Sequence, residues 1–283
     1  RSNDYRCKRR NIYLQAKKFM TKIIGILNLT LDSFSDGGMY YDLDSAKKHI
    51  SDMIGQGADI IDLGAESTRS GFTDIDEDVQ INTLRPIINY INDNYKIPIS
   101  IDTRSSKVAM AFKDYNINFI NDVSSGLHDN NMLNTVSELG CGFIMTHMPK
   151  EHKDGKVKVF KNIITEISEY FTERVESCKK AGIEVEKLII DPGIGFGKSG
   201  EDNITLLNNI QSLKSVHNNI CVGSSNKKYS SRLFKNIQTK EDLKIANLAT
   251  FATSTLYNAT YLRVHDVELT KDTVQVINKA LSL

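Results

Sequence analysis

Eight short β-branched runs, each followed by a longer amphipathic stretch, recur from Lys22 to the C-terminus, and this alternation limits the fold more tightly than any other feature. The runs fall at 23–27, 59–63, 97–101, 118–120, 142–145, 188–190, 220–223 and 261–264. The helical stretches fall at 44–56, 76–95, 105–114, 131–139, 159–181, 201–215, 243–257 and 267–283. Runs this short and apolar suit strands buried on both faces, as parallel sheets require. Eight strand–helix units close into a (β/α)8 TIM barrel more naturally than they open into a doubly wound sheet, which is the alternative. No linker rich in Pro, Gly or Ser interrupts the series, so residues 21–283 read as one domain.

Composition narrows the partners. Thirty-six basic against thirty-five acidic residues leave a net charge of +1, so no global field points to nucleic acid or a membrane surface, and small molecules are the expected partners. No apolar run is long enough to span a bilayer. Cys7, Cys141, Cys178 and Cys221 lie far apart without C-x-x-C spacing, which suits a reducing, cytoplasmic compartment, with an organelle as the alternative. Residues 1–20 form a basic leader in which Asp4 is the only acid, and the chain does not begin with Met. A fragment boundary within a longer polypeptide and the remnant of an organelle-targeting segment both fit, and the lack of an amphipathic Arg/Ser pattern favours the first.

In a barrel of this kind chemistry sits at the carboxyl ends of the strands. Nearly every end here is polar: Asn28; Asp62, Glu66, Thr68 and Arg69; Asp102; Asn121 and Asp122; His147; Asp191; Ser225 and Lys227; and Arg263, His265 and Asp266. Any one alone reads as a helix cap, and Thr103, Ser105 and Asp266 are expected to be no more than that. A whole ring of carboxylates, amides, guanidiniums and imidazoles is a ligand site, because buried charges cost several kcal/mol unless paired or ligand-bound. Its carboxylates and amides suit a flat heterocycle rich in N–H donors, and its Arg, Lys, His and Asn suit a phosphate. Four other histidines, His49, His128, His152 and His217, have no partner pattern and are read as surface or helix residues without a role.

Several segments are distinctive: N-L-T-L-D-S-F-S-D-G-G at 28–38, G-A-D-I-I-D-L-G-A-E-S-T-R-S-G at 57–71, S-I-D-T at 100–103, I-N-D-V at 120–123, T-H-M at 146–148, D-P-G-I-G-F-G-K at 191–198 and R-V-H-D-V at 263–267. The run G-I-G-F-G-K-S at 193–199 also tempts a P-loop reading, which fails because Pro192 stands where that motif needs Gly. In this order and spacing the seven segments resemble the signatures of the dihydropteroate synthases, from about residue 23 to the end.

The resemblance implies a transferase of folate biosynthesis, a sulfonamide target, that joins 6-hydroxymethyl-7,8-dihydropterin diphosphate to p-aminobenzoate. It implies that Asp102, Asn121, Asp191 and Lys227 hold the pterin edge while Arg263 covers its face. It places the diphosphate near Asn28, Arg69, Arg263 and His265, with Mg2+ bridging Asn28 and phosphate oxygens. Catalysis would rest on Asp102, Lys227, Arg263 and His265, which stabilise a leaving anion and a cationic methylene. The loops 29–38 and 65–73 would close over the site. Phe34, Thr68, Ser70, Phe196, Lys227 and Lys228 would line the p-aminobenzoate pocket. A homodimer through outer helices and an N-terminal fusion to a pyrophosphokinase domain are the assembly expectations.

Four positions depart from the family pattern. Leu31 and Ser70 stand where the family has Pro, and Asn226 and Lys228 replace the Arg and the final Ser of S-R-K-S. An altered p-aminobenzoate and sulfonamide site is therefore expected, since loops without proline have more entropy to lose on ordering. The alternatives are a pterin-dependent methyltransferase domain, which has no need of a diphosphate site, and a non-catalytic pterin-binding barrel.

Overall fold

A computed structural model describes residues 21–29, 43–68, 70–224 and 239–281. Strands and helices alternate as β1 (Lys22–Asn28), α1 (Leu43–Gly55), β2 (Ile60–Gly64), α2 (Glu77–Asn94), β3 (Ile99–Asp102), α3 (Ser106–Met110), β4 (Phe119–Asp122) and α4 (Met132–Leu139). The series continues as β5 (Gly142–Thr146), α5 (Ile163–Lys180), β6 (Leu188–Asp191), α6 (Gly200–Asn208), β7 (Cys221–Val222), α7 (Lys240–Leu256), β8 (Tyr261–Val264) and α8 (Val267–Leu281). All strands are parallel, in the order β6-β5-β4-β3-β2-β1-β8-β7. A bridge from Ile190 in β6 to Ile220, beside β7, joins the two ends. That closure excludes the doubly wound alternative.

The alternation of strand side chains explains both the core and the site. Outward-facing Ile23, Ile61, Leu63, Ile99, Ile101, Ile120, Phe143, Met145, Ile190, Val222, Leu262 and Val264 are buried beneath the helices. Inward, Ile24, Ile60, Ile144, Ile189 and Cys221 form a separate apolar plug with Phe119 and Tyr261. Two residues further along the same strands, on the same face, stand Asp62, Asn121, Asp191 and Arg263. The barrel interior is thus apolar at its amino-terminal end and charged at its carboxyl end. This gradient positions the site.

Several helix ends follow simple capping chemistry. Ser105 accepts from the Val108 N–H at the start of α3, and Asp266 accepts from Leu269 at the start of α8, so both expected caps are caps. Thr103 accepts from the Ser105 N–H and belongs to the same turn. The stretch 201–215 is not one helix: α6 stops at Asn208 and a separate 3-10 turn runs from Ile210 to Ser215. A capping box of Ser199 and Asp202 fixes the start of α6, and one of Thr239 and Asp242 starts α7 three residues before the apolar periodicity indicated. No described helix is long and apolar enough to cross a membrane.

Candidate active site

At the carboxyl end of the barrel, Arg263 reaches across from β8 to two carboxylates. Its Nε and Nη2 lie 2.7 and 2.6 Å from Asp62 Oδ2, and Nη2 is also 2.5 Å from Asp102 Oδ2. Asn121 donates its amide to the same Asp62 oxygen at 3.2 Å. Four strands, β2, β3, β4 and β8, therefore meet in one network that the sequence had spread over two hundred residues. Asp62 is the hub: it belongs to the polar ring, but the family resemblance gave it no role. A signal for it exists: it is an acid within a run that a parallel strand buries on both faces, where an unpaired carboxylate is untenable.

Two carboxylates share one guanidinium, so the hub carries a surplus negative charge. Burial pushes the Asp102 carboxyl up to about 7, with Arg263 pulling it down and Asp62 and Asp122 pushing it further up. Burial works against the Arg263 charge, but Asp62 and Asp102 outweigh it and hold its pKa above the ordinary value. Asp62 Oδ1 and Asn121 Oδ1 are buried acceptors with no hydrogen-bond partner among the described residues. Buried acceptors without a donor are costly, and a ligand edge that donates N–H groups would satisfy them.

Asp191 stands beside this hub. Its Oδ1 accepts from the Gly193 N–H at 2.7 Å. The space between Asp191 and Arg263 is closed to side chains at Gly223, where a Cβ would come within 3.1 Å of Asp191 Oδ2 and 3.6 Å of Arg263 Cβ. Above them, Asn28 Nδ2 lies 3.4 Å from His265 Nε2, uniting the two ends of the chain at the expected anion site.

Not every polar strand end joins the ring. Asp122 is held by the Ser124 and Gly126 N–H groups and the Ser124 hydroxyl, at 2.7, 2.7 and 2.6 Å, and it shapes the turn after β4. His147 packs edge-on to Tyr170 and against Phe160, and burial, then Lys198 and Lys158, push its pKa down to about 2. It lines a side cleft with Phe72, Arg104, Lys150 and Tyr170. Lys198, fully buried, donates to the carbonyls of His147, Gly193 and Phe196 at 3.0, 2.9 and 3.2 Å. That ammonium braces a loop instead of a phosphate, in keeping with the failed P-loop pattern.

The loop after β2 is fastened at several points. Arg104 sends Nε and Nη2 to Glu66 Oε2 at 2.9 and 2.7 Å and Nη2 to Asp74 at 3.0 Å, while its guanidinium lies 4.8 Å from the Phe72 ring centroid. Gly71 donates to the Lys153 carbonyl at 3.0 Å. Thr68 offers its carbonyl to His152 at 3.1 Å, and Phe196 packs edge-on to the same His152 ring. Ser70 is exposed. Arg104 went unnoticed in the sequence because its partners are eight residues apart in the preceding unit. Buried His152 and His217 correct the reading of both as unpartnered: His217 accepts from the Asn219 N–H at 3.1 Å. Phe34, Arg69, Lys227 and Lys228, with Leu31 and Asn226, lie outside the described residues, as does the 1–20 leader.

Comparison with known proteins bears on this arrangement. Residues 24–265 match the pterin binding enzyme family. A dihydropteroate synthase of Clostridium beijerinckii is 38% identical over 248 residues, which are 87% of this chain and 89% of that one. A Xanthomonas albilineans dihydropteroate synthase solved with 4-aminobenzoic acid superposes with a TM-score of 0.86 at 30% identity, covering 93% of this chain and 94% of that one. A Yersinia pestis dihydropteroate synthase solved with a sulfonamide drug gives a TM-score of 0.86 at 29% identity, covering 97% and 98%.

Proposed function

The chain belongs to the pterin-binding enzyme family, among the dihydropteroate synthases, and from that membership we propose how its barrel mouth joins 6-hydroxymethyl-7,8-dihydropterin diphosphate to p-aminobenzoate. The observation that carries the reading is the pair of unpartnered buried acceptors, Asp62 Oδ1 and Asn121 Oδ1, beside the Arg263 guanidinium. A dihydropterin edge presents several N–H donors in one plane, which would satisfy these oxygens together with Asp191 and Lys227. The planar guanidinium of Arg263 supplies the face contact.

In the reaction the C–O bond to diphosphate breaks, with the electron pair leaving on the diphosphate, and a C–N bond forms from the aromatic amine, which then loses a proton to solvent. The surplus negative charge of Asp62 and Asp102 stabilises positive charge developing on the methylene carbon. Arg69, Arg263 and His265 accept the departing anion. Among the described residues no cluster of three His, Cys, Asp or Glu side chains could cage a metal. Mg2+ keeps few protein ligands and takes most of its oxygens from phosphate and water. Asn28, beside His265, would hold the ion, and Mg2+ bound there would neutralise charge on the diphosphate.

Thr68, Ser70, Phe196 and Lys228, with Phe34 and Lys227, form the p-aminobenzoate half-site in altered form. If a sulfonamide inhibits this enzyme as strongly as a variant carrying Ser70→Pro, Asn226→Arg and Lys228→Ser, the alteration has no effect on drug binding. We infer a homodimer through the outer helices, where Ile245 and Leu256 of α7 and Val276 of α8 are exposed, to be checked by sedimentation. Cys141 and Cys178 are free, buried thiols, which suits a reducing, cytoplasmic setting. The test of the central reading is diphosphate release with and without p-aminobenzoate and Mg2+. Release that needs both, with dihydropteroate formed, supports it. Tight pterin binding without turnover supports a non-catalytic barrel instead.

A further inference from the structure

We propose that His152 is a positioning residue that sets the p-aminobenzoate half-site, acting through Thr68 on the β2 loop and Phe196–Gly197 on the β6 loop. The inference rests on the reading of Thr68, Ser70 and Phe196 as that half-site. His152 sits on neither loop. It lies in the loop after β5, in a 3-10 turn from Lys150 to His152, and is only 9% exposed.

The ring bonds both neighbouring loops. Gly197 N–H donates to Nδ1 at 3.1 Å. A backbone N–H can only donate, so Nδ1 is unprotonated and the ring is neutral. The proton is then on Nε2, which donates to the Thr68 carbonyl, an obligate acceptor, at 3.1 Å. One tautomer satisfies both bonds, and the ring edge also meets Phe196, with centroids 4.9 Å apart. Close approach is built in: Gly197 has φ 50°, and a Cβ there would come within 2.8 Å of Pro149 Cγ and 3.2 Å of His152 Cβ. Two further bonds run alongside, Gly71 N–H to the Lys153 carbonyl at 3.0 Å and Lys158 N–H to the Gly197 carbonyl at 2.9 Å. The β5 loop is thus a strap across two segments of the p-aminobenzoate half-site, and the His152 side chain bonds both.

None of these contacts touches the Asp62–Asp102–Arg263 hub, so the two substrates respond differently to His152 substitution. His152→Ala and His152→Phe each leave the Gly197 N–H and the Thr68 carbonyl without the ring's polar atoms. Both are expected to raise KM for p-aminobenzoate about tenfold or more. Dihydropterin diphosphate binding, measured alone by calorimetry, changes less than about twofold, within the additivity expected of separate sites. His152→Phe keeps an aromatic ring against Phe196, so it serves if the alanine variant folds poorly. His152→Gln, which carries an acceptor and a donor at comparable spacing, is expected to recover most of the loss. An unchanged KM in the Phe variant, equal losses for both substrates, or no advantage of Gln over Phe overturns the proposal. Phe196→Ala separates this from the underlying reading. If it raises KM while the His152 variants do not, only the positioning role fails; if it too leaves KM unchanged, the half-site reading fails and the proposal with it.

Discussion

The two halves of the barrel mouth are built on opposite principles. The proposed pterin half consists of side chains on the strands themselves, Asp62, Asp102, Asn121 and Arg263, bonded to one another within a closed sheet, with Asp191 beside them. The proposed p-aminobenzoate half consists of residues on loops, Thr68, Ser70 and Phe196, whose loops are fastened by Arg104 and His152. Precision comes cheaply on a strand, because the pleat fixes the direction of every side chain. On a loop it must come from added anchors, and the chain supplies them as hydrogen bonds to backbone carbonyls and amides. The consequence is that the first half should fail abruptly when altered, and the second by degrees.

The largest break should come from Arg263→Ala, which strands two carboxylates inside the barrel with no counter-charge. Removing one member of a buried ion network costs about 3–5 kcal/mol, to be read by denaturant unfolding. A loss under 1 kcal/mol would show that water reaches the hub and screens it.

Titration of Asp102 gives the next test. Because its pKa is raised from 3.8 to about 7, the folded protein binds a proton that the unfolded chain releases between those values. Stability contributed by this group therefore falls as pH rises from ~4 to ~7, the reverse of an ordinary salt-bridged carboxylate. Function runs the other way: kcat/KM for the pterin substrate should rise with pH through an inflection near 7. Asp62→Asn removes a repelling charge and leaves Arg263 to Asp102, so the inflection should move to lower pH. KM for p-aminobenzoate should not follow either change.

Legibility in the sequence divides along the same line. Strand number, strand ends and the barrel could be read from period-2 and period-3.6 patterns, and Asp102, Asn121, Asp191 and Arg263 could be read as site residues because each stands at the end of a strand or one residue before it. Asp62 was visible but undervalued, since one acid two places before a strand end reads as part of the strand. Glu66, Arg104 and Asp74 form one ion network, yet Arg104 follows β3 while the other two follow β2, and sequence spacing carries no sign of such a pairing. His152 was the hardest: its two partners are backbone groups, which every residue type possesses, so nothing in the identities of Thr68 or Gly197 points to it. The reading of 201–215 as a single helix failed for a local reason, because apolar periodicity continues through a chain that has changed from α to 3-10 geometry.

A residue that touches both halves sharpens the contrast. Lys198 braces the carbonyls of Gly193, next to Asp191, and of Phe196, in the p-aminobenzoate half. Lys198→Met fills the volume and leaves those acceptors without the ammonium, at a cost of about 1–3 kcal/mol. Unlike any His152 variant, it should weaken both substrates together. If calorimetry finds pterin binding untouched, Lys198 does not help to place Asp191.

The smallest effect belongs to Ser70. Proline there would lower the entropy of the unbound loop and stabilise by about 0.4–1 kcal/mol, which converts to a two- to fivefold lower KM for p-aminobenzoate. The side chain at 70 is exposed, so the ring would meet solvent. The gain stays small because Glu66, Thr68 and Gly71 are already tied down by Arg104, His152 and Lys153. Ser70→Pro should therefore matter most where those ties are cut: in a His152→Phe background its effect on KM should exceed that in the parent. Equal effects in the two backgrounds would mean that proline and histidine order the loop independently, and that the strap from β5 does not substitute for the missing ring.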